Sequence, residues 1–330
     1  MEITIFTNEV AGGWHPDDVD RFLTANEETL VLWSEALVRA GHAPTVYASL
    51  RGCAACERKG VHYAARGAFD PLGRFAALIT YKSRLPWQQG ADAPVRLHWS
   101  MDIEPPWSSG TLARVQRFLA LAPYHASRMP WVPAAKAGQV PLGMDLRDTD
   151  KARRPAGIAA ANLAVYTTSP DRGLERLLLD WPAIAAAHPG LKLLVTYDVG
   201  RLGGSPLGAW LVARAREVGA EFTGPLPKAE FNALVARVRY NVHPLNRFDS
   251  DLFGYGAYRA WRLGALPVLN YYHGTAFADT VPVWAPYREF LTGAAVVRQE
   301  TPPITVLSWD DNVKQYWEPL LAGQAREVAA

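Results

Sequence analysis

Short apolar runs of strand length recur along the first half of the chain, at positions 3–6, 45–48, 76–80, 95–99 and 118–122. The segment between the first two runs predicts a helix, since its apolar residues share one face: Leu30, Trp33, Leu37 and Val38. This helix begins at Asn26, a favourable N-cap, and ends at Gly41, which suits the left-handed conformation of a helix stop. A strand, a helix and further buried strands are the pattern of a doubly wound parallel sheet.

The same alternation starts again after a polar, turn-rich segment at 147–157. Amphipathic helices alternate there with predicted strands at 162–166, 191–197, 221–223, 240–243 and 267–270. A chain of 330 residues is too long for one ordinary core and suits two domains of roughly 150 residues each. We therefore expect two α/β domains, residues 1–150 and 151–307, and a C-terminal helix over 308–330 that packs back toward the first domain.

The composition is that of a folded globular protein, with 49% hydrophobic and 20% charged residues. The formal net charge is +2 and no block of like charge stands out, which argues against nucleic-acid binding. The first residues lack the features of a signal peptide, and no stretch approaches the ~20 apolar residues of a membrane span. We expect a cytoplasmic protein without a transmembrane segment, although the slight positive charge is compatible with peripheral membrane contact.

The two cysteines, Cys53 and Cys56, form a C-x-x-C pair, a spacing found in redox couples and in half of a zinc site. A structural zinc ion needs about four ligands, and the histidine close by in sequence is His62. The expectation is a pair of ordinary reduced thiols in a loop, with a metal or redox role as the alternatives.

The stretch 222–279 carries the strongest functional signal. Its order is a strand, a turn, a glycine-bearing loop that begins at Asp251, an amphipathic helix and a buried strand. In a parallel α/β sheet this order places a helix start at the carboxyl ends of the strands, where ligands bind. The N–H groups of a helix start attract anions, so the expected ligand is phosphorylated.

Several motifs follow one another in order along the chain: TNEVAGG (7–13), NEETLVLWSEALVRAGHAPTVYA (26–48), APYHASRM, VPLGMDL, YTTSPDRGLERLLLDWPAI and FTGPLPKAEFNALVARVRYNVHP. This series resembles the two-domain glycosyltransferases of the GT-B type, and most closely the retaining family 4. The resemblance implies two Rossmann-like domains that face each other across a cleft, with the acceptor bound by the first and a nucleotide-diphosphate sugar by the second. It implies metal-independent transfer of a hexosyl-type sugar to a hydroxyl of a glycan, glycolipid, natural product or protein, with retention of configuration.

The resemblance also implies roles for individual residues. Asp251 would orient the transferred sugar, and Asp102 or His98 would contact the reacting hydroxyl, while capping of a helix or strand end is the alternative for each aspartate. The donor phosphates would be held by a glycine loop, a helix start and two arginines, namely by Gly12, Gly13, Arg172, Phe253, Gly254, Tyr255, Gly256 and Arg259. The base would lie against the backbone of Thr223, Gly224, Pro225 and Leu226. No metal and no cofactor other than the donor sugar are expected.

Two positions depart from the pattern of the family. The family has two glutamates separated by seven residues, where this chain has Asp251 and Arg259, and an arginine cannot accept hydrogen bonds from ribose hydroxyls. The arginine and lysine of the family's phosphate clamp correspond to Thr167 and Arg172. We hypothesise that Arg259 supplies the missing positive charge.

These departures leave open a second function, a degenerate GT-B-like protein that binds a nucleotide sugar or a partner without turnover. A third possibility, a dinucleotide-dependent oxidoreductase, is disfavoured because the first strand is followed by TNEVAGGWHPDD, with no G-x-G-x-x-G that opens a helix. We therefore rank the transferase first, the binding protein second and the oxidoreductase third.

Overall fold

The computed structural model describes residues 1–21, 23–197, 205–244, 252–269, 285–293 and 306–329. The chain divides into two compact units, Met1–Asp145 together with Val306–Ala330, and Leu146–Thr305. The first unit thus contains both the beginning of the chain and its last residues.

The first unit is built on an eight-stranded sheet. Its strands are β1 (Glu2–Thr7), β2 (Ala43–Ala48), β3 (Ala55–Arg58), β4 (Val61–Ala65), β5 (Ala77–Tyr81), β6 (Val95–Trp99), β7 (Arg117–Ala120) and β8 (Ala137–Gln139). The spatial order is β3-β4-β2-β1-β5-β6-β7-β8, parallel throughout except for the antiparallel edge pair β3 and β4. The connecting helices are α1 (Ala25–Arg39), α2 (Leu85–Gln88), α3 (Ser109–Ala113) and α4 (Pro123–Ser127), with 3-10 turns at Pro16–Asp20 and Arg66–Ala68.

The second unit is built on a parallel sheet with six strands among the described residues. They are β9 (Ala161–Tyr166), β10 (Lys192–Val195), β11 (Glu221–Phe222), β12 (Val238–His243), β13 (Leu266–Leu269) and β14 (Ala285–Pro286), in the order β11-β10-β9-β12-β13-β14. The helices are α5 (Leu146–Ala152), α6 (Leu174–Ala187), α7 (Pro206–Glu217), α8 (Lys228–Arg237), α9 (Tyr255–Leu263) and α10 (Tyr287–Thr292). The apolar face of α6 is buried in the core: Leu174, Leu177, Leu178 and Trp181.

The C-terminal residues form a nearly continuous helix in the first unit. It consists of α11 (Trp309–Asn312), a π-helical turn (Val313–Trp317) and α12 (Glu318–Ala329). Ser308 caps its start by accepting a hydrogen bond from the backbone N–H of Asp311 at 3.1 Å. The sequence predicts a C-terminal helix for this same segment.

The predicted fold class, two doubly wound parallel sheets, is confirmed by these two strand orders. Helices cover both faces of such sheets, so the central strands are buried on both sides and appear in the sequence as continuous apolar runs. All five residues of β5 are buried, for example.

The segment around the cysteines was predicted as a loop, and this prediction is wrong for its second half. Cys56 lies in β3, which pairs with β4 at the edge of the sheet. The residues of β3 alternate between exposed and half-buried. An edge strand of this kind leaves no apolar run in the sequence by which it can be recognised.

The polar segment predicted as the domain boundary also has a packing role. Arg154 extends from it to the ends of α8 and α9, where its guanidinium donates to the carbonyl oxygens of Ala236 and Val238 at 3.1 and 2.9 Å and to that of Gly264. These carbonyl oxygens lie at helix C-termini, where the last acceptors have no N–H partner within the helix. One side chain therefore stabilises the ends of both helices.

Candidate functional site

A cluster of polar side chains lies at the carboxyl edge of β9 and β12 in the second unit. Asn241, which is buried in β12, donates from Nδ2 to Oγ1 of Thr167 at 3.0 Å, and its Oδ1 contacts Nε2 of His243. The Oγ1 of Thr167 lies 3.5 Å from the same His243 nitrogen. Ligands bind outside this edge in parallel α/β sheets, so the cluster forms part of the floor of a candidate site.

Helix α9 begins beside this cluster. Gly254 precedes it with a φ of 82°, and no acidic residue occupies its first turn. A Cβ built on Gly256 would lie 3.6 Å from Cε1 of His243, so the helix start faces the histidine ring. The first N–H groups of a helix have no acceptor within it and carry the positive end of its dipole. The four residues predicted to bind the donor phosphates, Phe253 to Gly256, lie at this helix start, and their contact with a phosphate stays a prediction.

The remaining predicted donor residues of this unit follow the same edge of the sheet. Arg172 ends the 3-10 turn that follows β9, and Gly173, with a φ of 107°, is the N-cap residue before α6. The predicted base region follows β11, where the backbone N–H of Thr223 donates to the carbonyl oxygen of Val195 at 3.0 Å and Gly224 has a φ of 72°. Pro225 and Leu226 complete the turn before α8. These residues all follow carboxyl ends of strands, and whether they contact a nucleotide stays a prediction.

Arg259 lies on α9 and packs against α8. Its guanidinium carbon is 5.0 Å from the ring centre of Phe231, and its Nε donates to Oδ1 of the buried Asn232 at 3.0 Å. This arrangement joins the two helices. The second role hypothesised for Arg259, positive charge for the donor phosphates, stays a prediction.

In the first unit, Asp102 and Lys82 form an ion pair at the carboxyl ends of β6 and β5. The Nζ of Lys82 is 2.7 Å from Oδ2 of Asp102, whose side chain is 57% exposed. Lys82 has a φ of 58°, a left-handed conformation that is uncommon for residues other than glycine. Such backbone strain clusters at functional sites. The accessible member of the pair, Asp102, therefore lies where binding residues are expected.

His98 does not lie at this surface, contrary to the predicted contact with a reacting hydroxyl. The residue is fully buried, and both of its ring nitrogens bond to protein groups. Trp87 donates from Nε1 to Oγ1 of Thr80, and this hydroxyl is 2.7 Å from Nδ1 of His98. The Nε2 of His98 is 2.6 Å from Oε1 of Glu104. His98 therefore links the hydroxyl of Thr80 to the carboxylate of Glu104 in the interior of the unit, which is a structural role.

Glu104 is the residue that the sequence interpretation missed. Its carboxylate accepts hydrogen bonds from His98, Ser100 and Trp107 at 2.6, 2.8 and 2.9 Å. Burial alone would raise its pKa, but the interaction with His98 and the bonds from Ser100 and Trp107 hold the pKa below its ordinary value. The only signal in the sequence was the position of Glu104 in the Trp- and Pro-rich segment after β6. No sequence pattern identified its hydrogen-bond partners.

His125 fixes the loop that carries Asp102. Its Nδ1 accepts a hydrogen bond from the backbone N–H of Leu121 at 3.1 Å, so its Nε2 carries the proton and donates to the carbonyl oxygen of Asp102 at 2.9 Å. Burial lowers the pKa of His125 and favours this neutral form. These contacts give His125 a structural role.

No protein-family model and no curated protein matches the chain, whereas solved structures do. AviGT4, a glycosyltransferase involved in avilamycin A biosynthesis, has a TM-score of 0.63 at 14% identity, over 97% of this chain and 98% of its own. Sucrose-phosphate synthase from Thermosynechococcus elongatus has a TM-score of 0.61 at 12% identity, over 99% and 94%. HepE from Anabaena, in complex with UDP and glucose, has a TM-score of 0.58 at 14% identity, over 99% and 93%. The chain has the GT-B fold. Identities this low establish the fold alone.

The glycine loop after β1, predicted to approach the donor in a GT-B protein, is tightly packed on one side. Gly12 and Gly13 have φ values of 77° and 63°. A Cβ on Gly13 would lie 3.0 Å from the backbone of Ser49 and Leu50, whereas one on Gly12 would meet nothing within 4 Å. Gly13 is thus required by the fold, and Gly12 is the position open to a ligand.

One predicted catalytic residue of this GT-B chain, Asp251, lies outside the described residues. A cavity elsewhere in the second unit does not belong to the candidate site, because it lies near the amino-terminal ends of β9 and β12 and is lined by Ala160, Asn162, Ala187, His188, Pro189 and Arg239. Among the described residues, no helix is both long and apolar enough to cross a lipid bilayer.

Both cysteines are free thiols, with the two Sγ atoms 3.2 Å apart. Burial and the hydrogen bond with Cys53 raise the pKa of Cys56 to about 12. Neither thiol lies in the candidate sites of the two units.

Proposed function

We propose that the protein is a glycosyltransferase that moves a sugar from a nucleotide-diphosphate donor to a hydroxyl acceptor, with retention of configuration. The observation that carries the proposal is the start of α9, which faces His243 and the carboxyl edge of β9 and β12 within a GT-B fold. This is where an α/β sheet binds a phosphorylated ligand. The solved structures support UDP as the first nucleotide to test, because HepE was solved with it.

The residues of the second unit would bind the donor and stabilise the leaving diphosphate. The N–H groups of Tyr255 and Gly256 and the side chain of Arg172 would hold the phosphate oxygens, on which negative charge develops as the glycosidic bond breaks. The backbone at Thr223–Leu226 would contact the base, and Asp251 would orient the sugar. The chemistry needs mainly positioning and charge stabilisation, so we propose that it proceeds without a metal ion.

Asp102 and Lys82 would bind the acceptor in the first unit. The Asp102 carboxylate is exposed and can accept a hydrogen bond from a hydroxyl group, while its Oδ2 is held by the ion pair with Lys82. His125 holds the backbone carbonyl of the same residue. The acceptor site would therefore be rigid before the acceptor binds.

The proposal is tested by a thermal-shift screen of the full chain against UDP, GDP, ADP, TDP and CMP, followed by the matching nucleotide sugars. A nucleotide at ~100 times its dissociation constant adds about 2.7 kcal/mol to the stability, which is visible as a higher Tm. Stabilisation by one nucleoside diphosphate is the expected result. If no nucleotide raises the Tm, the proposed donor site is wrong.

The alternative, binding without turnover, is favoured by one observation. Arg259 stands where the related family has a carboxylate, and its Nε already bonds to Asn232. Incubation of the stabilising nucleotide sugar with the protein and a mixture of simple sugar acceptors separates the two functions. A transferase releases free nucleotide and forms a product whose anomeric proton coupling reports retention, whereas a binding protein raises the Tm and releases none. Added Mg²⁺ or Mn²⁺ should not accelerate the release.

A further inference from the structure

Three possible metal ligands from distant parts of the sequence meet at one edge of the first unit. Among the residues that the structure describes, His15, Cys53 and Cys56 are the group whose ligand atoms lie within 4.8 Å of one another. The His15 side chain is 31% exposed and both cysteines are half-buried, so an ion can reach them. Thirty-eight positions separate His15 from Cys53, and sequence spacing alone therefore gives no sign of the group.

Backbone contacts between two loops bring these residues together. The backbone N–H of Trp14 donates to the carbonyl oxygen of Ser49 at 3.0 Å, and that of Arg51 donates to the carbonyl oxygen of Trp14 at 2.9 Å. The close approach of Gly13 to Ser49 and Leu50 belongs to the same contact. The loop after β1 is thus joined to the loop after β2, one residue before His15 and two residues before Cys53.

Ion pairs also join the segment after His15 to residues before and after the two cysteines. Arg58, at the end of β3, lies 2.9 Å from Asp17 and 3.0 Å from Asp20 in the 3-10 turn after His15. Arg51 lies 2.7 Å from Asp18 in that turn. The three ligands are therefore supported by surrounding bonds, as metal ligands need to be.

The strand register excludes His62, the histidine nearest to the cysteines in sequence, from this group. Cys56 is paired with Tyr63 across β3 and β4, and Glu57 is paired with His62. Side chains alternate between the two faces of a strand, so His62 lies on the face opposite to Cys56. His62 is exposed there.

We propose that His15, Cys53 and Cys56 form a binding site for Zn²⁺ or a chemically similar divalent cation, with water as the fourth ligand. Two thiolates and one imidazole are soft ligands that favour Zn²⁺ over Mg²⁺ or Ca²⁺. Tetrahedral zinc with Zn–S bonds of about 2.3 Å places two sulfur atoms about 3.8 Å apart. The present Sγ–Sγ distance of 3.2 Å therefore needs a small widening, whereas a disulfide needs contraction to about 2.05 Å.

The site would have a structural function that is separate from sugar transfer. It would connect the segment after the glycine loop, through His15, to the loop and edge strand that carry the cysteines. A bound ion would restrict the motion of Gly12 and Gly13, which lie just before His15. Zinc should therefore raise the Tm in the absence of any nucleotide.

Titration of the chelator-stripped full chain with ZnCl2 under reducing conditions tests the site. We expect about one equivalent of zinc to remain bound after desalting, and Co²⁺ in its place to give a thiolate-to-metal charge-transfer absorption. His15→Ala, Cys53→Ser and Cys56→Ser should each weaken zinc binding at least tenfold, since even loss of an outer-shell partner costs about 10–100-fold. His62→Ala is the matched control and should bind zinc like the unaltered chain.

A second measurement on the unaltered chain does not depend on whether the variants fold. Bound zinc should protect Cys53 and Cys56 from alkylation, so that both thiols react more slowly. The proposal is overturned if the reduced chain retains no zinc, if His62→Ala weakens binding as much as His15→Ala, or if zinc leaves alkylation unchanged. A disulfide in the purified chain together with no zinc binding after its reduction would instead identify a redox pair.

Discussion

At the scale of single residues, the contacts of Glu104 predict a measurable contribution to the stability of the fold. Three donors converge on one carboxylate that is 15% exposed, and its pKa is held below the ordinary value of 4.5. In Glu104→Gln, the new amide N–H group must face either the indole N–H of Trp107 or the donors from His98 and Ser100. We expect a loss of about 1–3 kcal/mol in the free energy of unfolding at pH 7, measured by urea denaturation.

The pH dependence gives this prediction a sign. A carboxyl whose pKa is lowered in the folded state stabilises the protein above its unfolded pKa and loses this contribution as the pH falls through the folded value. The difference between the two proteins should therefore shrink as the pH falls below 4.5. Glu57→Ala, at an exposed position of β3, is the control and should change stability by less than about 0.5 kcal/mol. An equal loss in both variants would contradict the role assigned to Glu104.

At the scale of secondary-structure elements, the start of α9 can be tested apart from the stability of the helix. Gly256 is helical, and an added Cβ would make an ordinary contact with the ring of His243 at 3.6 Å. Gly256→Ala should change the free energy of unfolding by at most about 1 kcal/mol, since alanine favours helices. Its methyl group would occupy the space between the helix start and His243. Nucleotide affinity should therefore fall by about tenfold or more, equivalent to about 1.4 kcal/mol.

The matched control for this helix is Gly110→Ala in α3 of the first unit. Gly110 is also helical, and a Cβ there would meet nothing within 4 Å. Isothermal titration with the nucleotide that stabilises the protein should give the unaltered affinity for this variant. Equal affinities for both alanine variants would mean that the α9 start does not hold the phosphates.

At the scale of the whole molecule, the last helix completes the core of the first unit. Trp317 is fully buried, with its ring centre 4.4 Å from that of Trp33 and 5.0 Å from that of Trp99. Removal of such a side chain costs about 3–5 kcal/mol, because the cavity does not fully collapse. Trp317→Ala should therefore increase hydrogen exchange in β1, β5, β6 and the C-terminal helix, while peptides from β9 and β12 keep their protection.

Gln315→Ala provides the control, since Gln315 is exposed on the π-helical turn next to Trp317. It should leave the exchange of both units unchanged. Loss of protection in β9 and β12 with Trp317→Ala would show that the second unit depends on the first for its stability.

The sequence by itself determined the order of the elements and the fold class. The apolar runs of central strands and the one-sided faces of helices such as α6 are local patterns, because each residue's burial follows from its place in its own element. The start of α9 was also predictable, since glycines just before an amphipathic run indicate a helix boundary, and Gly254 precedes the helix with a positive φ. The edge strand β3 escaped prediction because its exposed residues leave no such pattern.

Only the tertiary structure decided which side chains meet. Glu104 with His98, Arg259 with Asn232, and His15 with Cys53 and Cys56 are partners set by strand register and loop contacts rather than by spacing along the chain. The need for glycine at Gly143 also comes from a partner that is distant in sequence. A Cβ there would lie 2.7 Å from the ring of Trp309. Periodicity reports the face on which a residue lies, whereas the partner across that face depends on chain segments that come together only on folding.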